Sequence, residues 1–446
     1  MSSVRGEFSS RFGFIMAAAG SAVGLGNIWG FPTQTASNGG AAFVFVYLIL
    51  AFCLAYPAFM AELVIGRHGQ ANAVTALRKI APTQPKFAFA VGFGGIICAA
   101  LILSFYAIVA GWMLSATLAP IATVTDLKAT ADWLNQQSLG RDLLFTALFI
   151  MLTIAIISKG VENGIEKWSK RLMPALLGIL FLLIAYVLTQ EGATQGLRAY
   201  LVPDFSQVFN PDLLVSALGQ AFFSLSLGTS VMIIYGSYIA KNENLVSLGA
   251  YVTLIDVFIA FTAGLLIIPA MYVAQAQGVE IFSANGTLLS EDTLVFQVLP
   301  ALFNSMGTIG LVVAFAFFAL MSIAALTSSI SMLEAPVSYT VENFGMNRLQ
   351  ATWLIGGVIA VVSFVIVFNF SSLFGFVIAL TTQFGQPLIG MFCCIFAGWM
   401  WHRHKLLAEI QAGFEGVEHS LFWKIWPWYI KFICPLAIAL VFFNSL

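Results

Sequence analysis

Apolar residues fall along this chain in long blocks, and polar residues are confined to the short stretches between them. A helix that crosses a bilayer needs roughly 20 predominantly apolar residues. Eleven such runs can be read, at 12–36, 41–66, 88–118, 143–158, 171–189, 213–239, 247–274, 300–335, 352–370, 373–401 and 423–444. The third and eighth are long enough to tilt or to carry helix beyond the bilayer. Two runs are interrupted. In the first, Gly20 to Pro32 reads GSAVGLGNIWGFP, with Gly20, Gly24, Gly26 and Gly30 each unfavourable inside a helix and Pro32 unable to donate a backbone hydrogen bond. In the sixth, Ser224-Leu-Ser-Leu-Gly-Thr-Ser230 breaks the apolar pattern. Interrupted spans in corresponding positions of two halves predict an inverted repeat with a binding site at the membrane midplane. The expected architecture is therefore all-α and polytopic, one transmembrane domain over 1–446. Residues 12–189 form a first five-helix repeat, 213–401 an inverted second repeat, and 423–444 an additional eleventh helix.

Composition strengthens this reading. Of 446 residues, 60% are hydrophobic and only 9% charged, with a mean hydropathy of +0.94, whereas soluble domains carry about 25% charged residues. A soluble fold is excluded. With the N-terminus inside, fifteen Lys and Arg fall on the cytoplasmic side, against Lys128, Arg141 and Arg198 on the other. This asymmetry predicts a cytoplasmic N-terminus and, after eleven crossings, a C-terminus outside. No cleavable signal peptide is expected. The five cysteines all lie in apolar segments, which argues against a disulfide framework. No basic cluster suggests nucleic acid, and no catalytic constellation suggests an enzyme. His68, His402, His404 and His419 all sit at or beyond cytoplasmic ends, where solvated loops are expected rather than a metal site.

The interrupted helices carry the chemistry. A break in a membrane helix frees carbonyls that must find partners, and a small hard cation is satisfied by such carbonyls together with hydroxyls. Thr327 and Ser328 stand side by side in the eighth run; by themselves such hydroxyls most often bond back to their own helix. Asp256 is the only carboxylate deep in the seventh run. An intramembrane acid is a functional candidate by default; the alternative is a neutral carboxylic acid bridging two helices. Tyr106 lies mid-span, away from the interface where membrane tyrosines concentrate.

Three motifs, in order and on the expected spans, resemble the neurotransmitter:sodium symporter family, whose bacterial members have the LeuT-type fold. They are Gly20 to Asn27 with Phe31-Pro32, Gly219 to Gly228 (GQAFFSLSLG), and Ala325-Leu-Thr-Ser-Ser329. The resemblance covers essentially the whole chain from Arg5 onward. It implies two sodium ions. One lies between the carbonyls of Gly20, Val23 and Ala324 and the hydroxyls of Thr327 and Ser328. The other lies at the Ala22 carbonyl, Asn27, Ser224 and Asp256, where many relatives carry Asn. In chloride-dependent relatives a serine four residues further on helps hold the anion; here that position is Ala260. Chloride is therefore not expected, Asp256 supplying the charge, with a proton on Asp256 during the empty return as a corollary.

The resemblance also places a solute carboxylate near Leu25 and Gly26, with the Tyr106 hydroxyl beside it. Monoamine carriers have an aspartate at the position of Gly24, so a substrate bringing its own carboxylate is expected. Its remaining contacts are expected from Ser21, Ala22, Val23, Ile102 and Phe223, with Ser224, Ser226, Leu227, Thr229, Ser328 and Met332. The lining favours hydrophobic or aromatic side chains. Arg5, Phe8, Tyr238 and Glu342 match the cytoplasmic gate, Glu342 following the eighth span. Gly164 and Pro174, with nine residues between them, match the pattern that lets the fifth span unwind. The outer gate departs from the family: its arginine is Gly30, and 370–386 contains no acid.

Three readings stay open. The first is a sodium-coupled symporter for an amino acid, in the bacterial cytoplasmic membrane. The second is the same machine for a non-standard solute such as a beta-amino acid, a taurine-like sulfonate or an aromatic acid. The third is a non-transporting receptor. The bilayer is the one certain partner, and the oligomeric state is left open.

Overall fold

The computed structural model of the protein describes residues 6–281 and 298–444, and among these all regular structure is helical. Eight helices are long and apolar enough to cross a membrane: Ala41–Gly69, Pro85–Val124, Leu139–Ile157, Val161–Val187, Leu245–Ala276, Gly307–Phe344, Arg348–Phe368 and Phe370–Met400. The bent pair Arg11–Ala22 and Gly26–Ser37 makes a ninth. The two remaining expected spans are also helical. The sixth is two pieces, Pro211–Ser224 and Val231–Gly236, each too short to cross alone. The eleventh runs without interruption through Leu421–Trp428, Tyr429–Ile433 and Cys434–Asn444.

Three boundaries differ from the pattern of apolar residues. The fifth span starts at Val161, ten residues before its apolar run, because the polar turn Val161–Glu166 is wound as a π-helix against the N-terminal segment. The apolar run at 300 divides into Leu299–Ser305 and a separate 38-residue helix. That helix continues to Phe344, so Glu342 lies inside the eighth span rather than after it.

The two breaks are built differently. The first span bends by 56° at Val23–Leu25. The sixth loses helix over six residues, and Ser226, Gly228 and Ser230 all take positive φ. Gly228 cannot be replaced there: its φ is +76°, and a Cβ would lie 2.0 Å from the Gln386 carbonyl oxygen. Small residues also seat the second piece of the sixth span, Val231–Gly236, against the second span. A Cβ on Gly66 would meet the Ile233 carbonyl oxygen at 2.0 Å, and one on Gly236 would meet that of Leu63 at 2.5 Å. Close backbone approach of this kind is how membrane helices pack without a hydrophobic driving force between them. The third and eighth spans share the most extensive interhelical contact among the described residues. Large apolar side chains such as Leu182, Val361 and Leu436 point outward, as a bilayer-facing surface requires.

Candidate cation and solute site

The two breaks meet at the centre of the bundle and enclose a cavity. The first span contributes Ser21, Ala22, Gly24, Gly26 and Asn27, the third Ile102 and Tyr106, the sixth Phe223, Ser224, Ser226 and Thr229, and the eighth Ser328 and Met332. These are expected site residues almost without exception. Val23, Leu25 and Leu227 enter through their backbones: the Val23 carbonyl accepts from Ser328 at 3.1 Å, the Leu25 amide donates to the Tyr106 hydroxyl at 3.0 Å, and the Leu227 carbonyl accepts from Gln386 at 3.2 Å.

Asp256, on the seventh span, is 1% exposed and stands behind Asn27 and Ser224, which line this cavity. The Asn27 amide donates to its Oδ1 at 2.7 Å, and the Ser224 hydroxyl donates to its Oδ2 at 2.8 Å. Asn27 Oδ1 in turn accepts from the Gly24 amide at 3.2 Å. One carboxylate thus binds together both broken helices. Ala260, one turn further along, is fully buried and brings no polar atom.

The second expected cation set divides. Ser328 reaches across to the first span, donating to the carbonyls of Gly20 at 3.4 Å and Val23 at 3.1 Å. Thr327 instead donates within its own helix, to Ala324 at 2.9 Å. Gly20 and Thr327 are nonetheless adjacent, since a Cβ on Gly20 would lie 3.2 Å from the Thr327 Cβ.

Glycine is required where the solute carboxylate is expected. A Cβ at Gly24 would lie 2.6 Å from Ser328 Oγ and 2.7 Å from the Tyr106 hydroxyl, and one at Gly26 would lie 2.7 Å from the Phe223 ring. Two polar residues missed in the sequence support the break of the sixth span, and one of them lines the cavity. Glu62, buried in the second span, accepts from the Gly228 amide at 2.8 Å. Gln386, from the tenth span, lines the cavity and donates to the Leu227 carbonyl. Glu62 carried the same signal as Asp256, an acid deep in an apolar run; Gln386 carried none.

At the end expected to face the cytoplasm, Phe8 packs edge-on against Phe14, Tyr235 and Tyr238, and its amide donates to the Tyr238 carbonyl at 3.2 Å. Arg5 lies outside the described residues. Glu342 accepts from the backbone and side chain of Asn72, both at 2.8 Å. A further acid that the sequence did not single out takes the central place. Glu334 is fully buried, accepts from the Tyr238 hydroxyl at 2.6 Å, and pairs with Arg348 at 3.1 Å and 2.5 Å. At the opposite end, Gln220 donates to the Gly26 carbonyl at 2.9 Å, and the space beside Gly30 is open to within 3.7 Å of Gln220.

Two broken helices meeting around an enclosed polar pocket in a polytopic bundle define a secondary transporter. The chain belongs to the sodium:neurotransmitter symporter family, whose profile matches residues 5–139 and 132–446. It is 34% identical to an uncharacterized sodium-dependent transporter, YhdH, of Bacillus subtilis, over 98% of this chain and 97% of that protein. It is 32% identical to an uncharacterized sodium-dependent transporter of Haemophilus influenzae, over 99% and 98% of the two chains. Its structure superposes on that of MhsT in complex with L-phenylalanine with a TM-score of 0.84 and 36% identity, over 99% of this chain and 100% of the other. The protein is thus a sodium-dependent symporter with the LeuT-type fold, and not an enzyme.

Proposed function

We propose that this symporter couples two sodium ions to uptake of an amino acid with a hydrophobic or aromatic side chain, and that it needs no chloride. One ion is held at Ala22, Asn27, Ser224 and Asp256, the other at Gly20, Val23, Ala324, Thr327 and Ser328. The observation that carries the reading is the Asp256 carboxylate, joined to Asn27 and Ser224 directly beside the solute cavity. It brings a fixed negative charge to a cation site where a neutral amide would leave the charge to a mobile anion. Substrate carboxylate meets the amides near Leu25 and Gly26 and the Tyr106 hydroxyl; Gly24 leaves no acid to replace it. The related structure with L-phenylalanine bound supports an aromatic side chain, as do Ile102, Phe223 and Met332 in the wall.

The protein works in the bacterial cytoplasmic membrane with its N-terminus inside. The first five and next five spans act as inverted repeats around the site, and the eleventh is appended. The absence of charge at Gly30 favours one second reading, a beta-amino acid or sulfonate that does not need an arginine to orient it.

Uptake by purified protein in liposomes tests these statements. Sodium-dependent accumulation of Phe, Tyr, Trp or Leu is expected, unchanged when gluconate replaces chloride. Asp256→Ala is expected to abolish sodium stimulation. Accumulation of taurine or beta-alanine alone would select the second reading, and arrest in gluconate would refute chloride independence.

A further inference from the structure

Glu166 sits at the start of the fifth span, 1% exposed, at the end of the π-helical turn Val161–Glu166. Its carboxylate collects the segment that precedes the first span. The Ser9 amide donates to Oε2 at 2.7 Å, the Ser9 hydroxyl to Oε1 at 2.7 Å and the Ser10 hydroxyl to Oε1 at 2.9 Å. The Ser10 hydroxyl also accepts from the Gly13 amide at 3.1 Å, capping the first helix. Two glycines make room for this docking. A Cβ on Gly13 would lie 2.0 Å from Glu166 Oε1, and one on Gly6 would lie 2.9 Å from Val161 Cγ2.

Lys170 supplies the second half of the device. Its ammonium pairs with Glu166 Oε1 at 2.5 Å across one helical turn, an i,i+4 geometry that exists only while this stretch is wound. Further along the same span, Met173 lies against Gly20, with Sδ 3.4 Å from where its Cβ would be. The fifth span therefore covers, with one helix, both the N-terminal segment and the Gly20 side of the Thr327–Ser328 set.

We propose that Glu166 is a positioning residue that couples the two events of cytoplasmic opening, release of the N-terminal segment and unwinding of the start of the fifth span. While the turn is wound, Lys170 aims Glu166 at Ser9 and Ser10. Unwinding carries the carboxylate away and frees them together, and pulling Ser9 and Ser10 off leaves a buried carboxylate that favours unwinding toward water. Its role in releasing the cation at Thr327–Ser328 rests on the proposed sodium assignment; the coupling itself does not.

Hydrogen exchange on the full chain in lipid nanodiscs tests the coupling through variants on opposite sides of the carboxylate. Lys170→Met, which touches the N-terminal segment only through Glu166, is expected to speed exchange of amides 8–10 about tenfold. Ser9→Ala is expected to speed exchange across 161–167 several-fold, and Glu166→Ala to do both. A monodisperse size-exclusion profile and a cooperative thermal unfolding transition check that each variant folds. If each variant loosens only its own segment, the coupling is overturned. If the loosening is reciprocal while liposomes show no sodium stimulation, the latch stands and the proposed sodium assignment falls.

Discussion

At the proposed cytoplasmic end of the pathway carboxylates hold the closure: Glu334 on Arg348 and Tyr238, and Glu166 on Ser9, Ser10 and Lys170. At the outer end the polar contact is the amide of Gln220 on the Gly26 carbonyl, beside Tyr106 and Phe223, with Gly30 where relatives carry arginine. Breaking one side of a buried ion pair costs about 3–5 kcal/mol, whereas a neutral hydrogen bond contributes about 1 kcal/mol. The difference teaches that the two doors are unequal. On the proposed orientation, opening the outer end would break neutral contacts, whereas opening the inner end would separate a buried charge pair.

The largest expected effect is at the charged end. Glu334→Ala leaves Arg348 and the Tyr238 hydroxyl without their shared acceptor and is expected to favour the inward-open form by about 3–5 kcal/mol. A cysteine at Ser331, which is buried in the eighth span and hydrogen-bonded by Ser21 at 2.7 Å, should then react more than about a hundredfold faster with a thiol reagent from the cytoplasmic side, at 1.4 kcal/mol per tenfold. Equal rates would break the comparison. Tyr106→Phe comes next. It removes the acceptor of the Leu25 amide, a loss of about 1–3 kcal/mol, and is expected to raise the KM for substrate tenfold or more with little change in inward labelling. Gln220→Leu, at the neutral end, is expected to change KM by less than tenfold, corresponding to about 1 kcal/mol.

A pH scan sharpens the distinction between closure and scaffold. Glu409, in the helix Arg403–Gln411, meets Arg67 at 2.9 Å, His68 at 3.1 Å and Lys241 at 3.0 Å. Burial pushes its carboxyl up, but hydrogen bonds from His68 and Lys241 and the charges of Lys241 and Arg67 outweigh it and bring it down to about 2. A carboxyl lowered in the folded state stabilises fully above its unfolded value of about 4.3. That contribution is lost as pH falls from there toward 2. Tm is expected to fall between pH 5 and 3, less steeply in Glu409→Gln, with no contribution from this group to transport between pH 5 and 8. The smallest effect belongs to Gly30→Ala, within about 0.5 kcal/mol, because the site has space and ordinary helical backbone.

The chain's apolar runs were sufficient to place the spans, with the largest errors at the fifth and eighth, and the glycine- and serine-rich interruptions marked where both breaks fall. The fifth span was harder because its first turn, Val161–Glu166, is polar, and Glu166 within it is buried against the N-terminal segment, not lipid. Site residues on the breaks were legible for the same reason as the breaks: glycines, hydroxyls and one acid stand out against hydrocarbon. Glu62 and Glu334 stood out equally as acids in apolar runs, but nothing local said what each would face.

Sequence alone determined that this chain lives in a bilayer, where its helices break, and which oxygen-bearing side chains lie near the breaks. Those are local properties, set by the cost of exposing polar backbone to hydrocarbon. Only the tertiary structure decided that Ser328 reaches the first span while Thr327 bonds within its own, that Gln386 enters the cavity, and that Glu334 meets Tyr238 while Glu166 meets Ser9. Each of those depends on two helices distant in sequence meeting at a particular rotation, and helix rotation is fixed by packing, which no single run of residues contains.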